Sequence, residues 1–96
     1  MPKWIIVATV LQAEASAVRT LAEFEGDEGD ALSKLEKVLN SYDRDVMAVK
    51  RREIFKMTDR SYLLRLSGRL SKYEYLVQLG QLVADSKSAD LPNSLG

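Results

Sequence analysis

Cysteine and histidine are both absent from the 96-residue chain. Without cysteine there is no disulfide, thiolate metal site, iron–sulfur cluster or thiol nucleophile. Without histidine the commonest general base and the commonest metal ligand disappear together, and with them the Ser-His-Asp, Cys-His and zinc-hydrolase mechanisms. The five glycines, at 26, 29, 68, 80 and 96, form neither G-x-G-x-x-G nor G-x-x-x-x-G-K, so no phosphate loop is written into the chain. Neither S-x-x-K nor G-x-S-x-G occurs. No apolar run approaches the roughly 18 residues of a membrane span. No cofactor is expected. An enzyme would be restricted to carboxylate, lysine, tyrosine or serine–lysine chemistry, and the reading leans against one.

What is present is the composition of one small globular domain, with 46% apolar and 29% charged residues. A chain of this size builds a single core and buries somewhat over about 60% of its unfolded surface. Residues 1–86 are expected to form that domain and residues 87–96 a flexible tail. Lys3, the apolar run 4–11 and the small residues Ala13, Ala15 and Ala17 imitate a short signal peptide, but Gln12 and Glu14 put polar and acidic groups where a cleavage region is neutral. A cytoplasmic address is the expectation.

Along the chain, residues 3–11 are rich in Ile, Val, Thr and Trp and read as a strand. Both alternating sets, Trp4/Ile6/Ala8/Val10 and Ile5/Val7/Thr9/Leu11, are mainly apolar, so both sides of this strand call for a cover. From Ala13 the spacing turns helical, with Ala17, Val18, Leu21, Ala22 and Phe24 on one stripe. Two glycines and four acids at 25–30 interrupt it, and Leu32, Leu35, Val38, Leu39 and Tyr42 then resume at three- and four-residue steps, predicting a second helix over 30–42 with Asp30 as N-cap.

Residues 46–57 and 62–67 alternate as strands around the turn Thr58-Asp59-Arg60-Ser61, with Gly68 closing the second. Ser71-Lys72-Tyr73-Glu74 matches a capping box flanked by Leu70 and Tyr75 at hydrophobic-staple positions, predicting a third helix that ends near Ser86. The order strand, helix, helix, strand, strand, helix gives an α+β domain with a three-stranded split-βαβ sheet and helices packed on it. This architecture resembles a ferredoxin-like fold without its last strand. It would leave strand one on an edge, where an uncovered apolar strand pairs with another chain, so a homodimer through Trp4, Ile6, Ala8 and Val10 is expected.

Charge is balanced overall, 14 basic against 14 acidic residues, yet uneven along the chain. Residues 1–49 hold five basic and nine acidic side chains, residues 50–96 nine and five. Lys50, Arg52, Lys56 and Arg65 could share the outer face of the hairpin, and with Phe55, Tyr62 and Tyr73 interleaved that stretch has the ingredients of an anion or nucleic-acid surface. A solvated sheet face accounts for the same residues, and an isoelectric point near 6.3 falls short of a dedicated nucleic-acid binder.

The acids at 25–30 do not follow the D-x-[DN]-x-[DN]-G calcium pattern and suit a helix N-terminus better. Asp43 and Asp45 could serve as acid and base if burial separated their pKa values, or simply as turn residues. Ser71 and Lys72 are adjacent but off one another's helical face. Trp4, Phe24, Tyr42, Phe55, Met47 and Met57 could line a small-molecule pocket or pack the core. The leading expectation is a non-catalytic interaction or regulatory protein that docks a protein partner or itself. A nucleic-acid module using the hairpin comes second, and a small-ligand carrier or cofactor-independent enzyme third.

Overall fold

A computed structural model describes residues 1–11 and 17–96. Its elements are β1 (Lys3–Val10), β2 (Val18–Glu25), α1 (Glu28–Ser41), β3 (Arg51–Thr58), β4 (Ser61–Ser67) and β5 (Lys72–Gln81). The strands form one sheet in the order β2-β1-β5-β4-β3, with every neighbouring pair antiparallel. This overturns the expected three-stranded, ferredoxin-like arrangement: there are five strands, one helix among the described residues, and no parallel crossover. Two segments expected to be helical, the one after residue 17 and the one after the Ser71 capping box, are strands. The start of the first, residues 13–16, lies outside the described residues.

Each error has a physical cause. In β2 the pairing with β1 slips between Ile6 and Val7, so Ile6 faces Ala22 while Val7 faces Thr20 and Leu21 is the extra residue. Such a bulge breaks the two-residue period. Phe24, Ala22 and Arg19 therefore share one face while Val18, opposite Thr9, lies on the other, so the apparent helical stripe mixes residues from both faces of the strand. In β5 the alternating set Tyr73, Tyr75, Val77 and Leu79 runs through the same residues as the apparent helix, and the last three are buried. A strand lying between β1 and β4 pairs on both edges and buries that set, which outweighs a local capping signal.

The helix expected over 30–42 is present as α1, but it starts earlier. Asp27, not Asp30, is the N-cap: its carboxylate accepts from the Asp30 N–H at 2.8 Å, and the Asp30 carboxylate accepts from the Asp27 N–H at 3.4 Å. The hairpin of β3 and β4 is also present, turning at Asp59 and Arg60, with an irregularity between Lys56 and Thr58.

α1 covers one face of the sheet. Ala31, Leu35 and Leu39 of the helix join Trp4, Ile6, Ala8 and Val10 of β1, Tyr75, Val77 and Leu79 of β5, and Leu64 and Leu66 of β4 in a single core. Each large side chain so buried contributes about 1.5–3 kcal/mol. The indole N–H of Trp4 donates to the Gly26 carbonyl at 2.9 Å, tying β1 to the turn before α1. Gly68 admits the close approach of Val46, whose Cγ1 would lie 2.8 Å from any Cβ added there.

Strand one is therefore not an edge. β1 is flanked by β2 and β5, and Trp4, Ile6, Ala8 and Val10 are core residues rather than a dimer edge. The edges are β2 and β3. After Gln81 the described chain carries no further helix or strand.

Candidate docking face

Cross-strand partners in an antiparallel sheet share a face, so the pairing registers map the surface opposite α1. One row crosses all five strands: Val18, Thr9, Leu76, Leu63 and Phe55. Val18 is 69% exposed and Phe55 40%, while Thr9, Leu63 and Leu76 are partly exposed. Ile5 and Val7 extend this apolar surface along β1 and are also partly exposed. The second alternating set of β1 thus stays partly exposed among the described residues; α1 lies on the other side.

Beside the apolar row runs a charged one, Glu53, Arg65 and Glu74, on β3, β4 and β5. The Arg65 Nε donates to Glu74 at 3.0 Å, and its guanidinium lies 3.6 Å from Glu53, which also meets Arg51 at 3.4 Å. Arg65 further sits over the Phe55 ring, 5.1 Å from its centroid. The bond to Glu74, with the charge of Glu53 behind it, holds the Arg65 pKa above its ordinary value. With Arg51 on Glu53, two acids and two bases cancel, so the row frames the apolar strip without adding a strong field of one sign.

The four basic residues singled out in the sequence do not share this face. Arg65 alone is on it. Arg52 pairs with Leu66 on the helix side, where its guanidinium donates to the Leu39 and Tyr42 carbonyls, each at 2.9 Å. It supplies the cation that the last turn of α1 lacks. Lys56 is also on the helix side, opposite Tyr62, and pairs with Asp59 at 3.2 Å, which raises its pKa. Lys50 is exposed just before β3.

Among residues that sequence reasoning placed singly, the structure assembles a polar cluster. Arg19 of β2 forms a two-pronged pair with Asp45 at 2.6 and 3.1 Å and donates to the Tyr42 hydroxyl at 2.7 Å. The Tyr75 hydroxyl donates to the same carboxylate at 2.7 Å. Arg19 holds the Asp45 carboxyl below its ordinary value, and burial followed by the bond to Asp45 pushes the Tyr75 hydroxyl far up. Acid–base catalysis needs pKa values brought toward neutrality, and these groups move away from it. The cluster ties β2 and β5 to the loop after α1, and Asp45 is not free to act with Asp43. The arginine was hidden because its segment reads as a helix.

A cleft of about 450 Å³ lies between α1 and the β3–β4 hairpin, with Leu32, Leu35 and Tyr62 inside. Four of its rim charges are already paired, Arg60 with Glu28 and Lys56 with Asp59, and Arg60 also covers the Trp4 ring. Three of the four acids at 25–30 likewise have partners: Asp27 and Asp30 cap α1, and Glu28 meets Arg60. Among the described residues no three acids form a metal-holding group. Trp4 is in the core while Met47 is fully exposed and Met57 63% exposed, so the aromatic and methionine residues do not line one pocket. No helix among the described residues is long and apolar enough to cross a membrane.

Among the described residues, fold and site define an α+β domain of one helix on a five-stranded antiparallel sheet, with an apolar strip on the face opposite the helix. Compared with known protein families, curated proteins and solved structures, the chain matches none.

Proposed function

We propose that this is a non-catalytic interaction protein that docks a protein partner on the helix-free face of its sheet. The observation that carries the reading is the partly exposed apolar row Val18–Thr9–Leu76–Leu63–Phe55, framed by the Glu53–Arg65–Glu74 row, which Arg51 on Glu53 brings to neutrality. Contiguous exposed apolar surface rimmed by polar groups is the mark of an interaction site. The partner is expected to present an apolar strip of its own, with binding centred on Leu63, Leu76 and Phe55 and screened little by salt.

A photo-crosslinking amino acid at Leu63, expressed in the cells that make the protein, is expected to give one discrete adduct that Leu76→Glu abolishes. The same amino acid at Lys37, exposed on α1, is expected to give none. Equal labelling from both positions, or none from Leu63, would contradict the reading.

A further inference from the structure

We propose that two copies of this chain associate through the β3 edge, pairing β3 with β3 antiparallel about a two-fold axis at Phe55. The idea goes beyond the docking face, because it uses the rim of the sheet and leaves that face open. Among the described residues β3 is the last strand of the sheet and pairs with β4 alone. Its flank is exposed, with Ile54 at 39%, Phe55 at 40% and Met57 at 63%. The other edge, β2, is broken mid-strand by its bulge, a device that discourages added strands. In β3 the irregularity comes only between Lys56 and Thr58, leaving residues 51–56 in regular register.

Ladder alternation tells which peptide groups are available. The Leu79 N–H donates to the Arg60 carbonyl at 2.8 Å, and Ser61 lies opposite Gln78. Even-numbered residues of β4 therefore turn their peptide groups toward β5, and odd-numbered ones toward β3. Leu63 and Arg65 face Phe55 and Glu53, so the outward N–H and C=O groups of β3 belong to Arg52, Ile54 and Lys56.

Charge selects the register. A two-fold pairing that keeps the two sheet faces aligned must centre on a residue. Centring on Glu53 opposes two carboxylates, centring on Ile54 opposes Arg52 to Lys56, and centring on Lys56 opposes two ammonium groups. Centring on Phe55 places Ile54 against the second copy's Lys56 and Glu53 against its Met57, with no like charges opposed. Ile54 and Lys56 are the residues with outward peptide groups, so this register also joins two ladders. It sets Phe55 against its own copy and makes the apolar row continuous across both sheets.

The test is sedimentation equilibrium of the full chain over about 1–100 µM, with circular dichroism as the check on folding. The expected result is a wild-type mass approaching twice 10.8 kDa at the top of the range. Ile54→Pro removes only an outward N–H, and proline is tolerated on edge strands in that orientation. It is expected to stay folded and sediment as a monomer. Phe55→Glu, which opposes two carboxylates on the axis, is expected to do the same; Ile54→Lys, which opposes two ammonium groups at Lys56 on the helix side, away from the docking row, stands in should the proline variant unfold. A wild-type monomer throughout the range would overturn the proposal, as would a dimer that persists in folded Ile54→Pro. A dimer lost in Phe55→Glu but kept in Ile54→Pro would place association on the open face and overturn the edge route while leaving the docking reading intact.

Discussion

Asp45 is the residue on which most local order converges, since it accepts from Arg19 and from Tyr75. Its carboxyl titrates below its ordinary value in the folded protein because of Arg19, so the unfolded chain binds that proton more tightly. The stability it contributes is complete above the unfolded value of about 3.9 and is lost as pH falls through the lower folded value. Asp45→Asn is expected to cost about 1–3 kcal/mol near neutrality by stranding Arg19, and to flatten the loss of stability below about pH 4; urea melts across pH 2–7 read both. The carboxylate was visible in the sequence, but its partners were not. Arg19 and Tyr75 lie 26 and 30 residues away in the chain.

Elements were legible where one period dominated. The β-branched run of β1, the alternation of Tyr62, Leu64 and Leu66 in β4, and the three- and four-residue steps of α1 each announce their structure. β2 and β5 were misread because two periods coexist in them, and only pairing across the sheet selects one. The capping signals make this measurable. Ser71→Ala is expected to change stability by under about 0.5 kcal/mol, because Ser71 precedes a strand, whereas Asp27→Ala removes a working N-cap and is expected to cost about 1 kcal/mol. Similar losses from the two variants in chemical denaturation would contradict the assignment. At the other end of α1, Arg52→Ala removes two bonds to helix carbonyls and is expected to cost about 1–2 kcal/mol, far more than Lys50→Ala in the same melts.

For the whole molecule, the misreading of β5 determined what sequence could say about the site. With β5 taken as a helix, strand one fell on an edge and its buried set looked like an interface. With β5 beside it, Trp4, Ile6, Ala8 and Val10 become core, and the other set, Ile5, Val7 and Thr9, is left facing outward. The observation that both sides of strand one are apolar survives as the one trace of the docking face in the sequence. The row itself depends on registers between strands far apart in the chain. The division of Arg52 and Lys56 from Arg65 between the two faces, with Lys50 outside the strand, also bears on the nucleic-acid alternative. Labelled oligonucleotides are expected to show no micromolar binding at about 50 mM salt, and tight, steeply salt-dependent binding would restore that reading.

Whether the face opposite α1 stands open is the question on which the account rests, and solution NMR with a soluble paramagnetic probe answers it directly. Strong broadening of the Leu63, Leu76 and Val18 methyls and the Phe55 ring is expected, with Leu64, Leu66 and Val77 protected. Equal protection of both sets would mean that the face is covered, and the docking reading would fail.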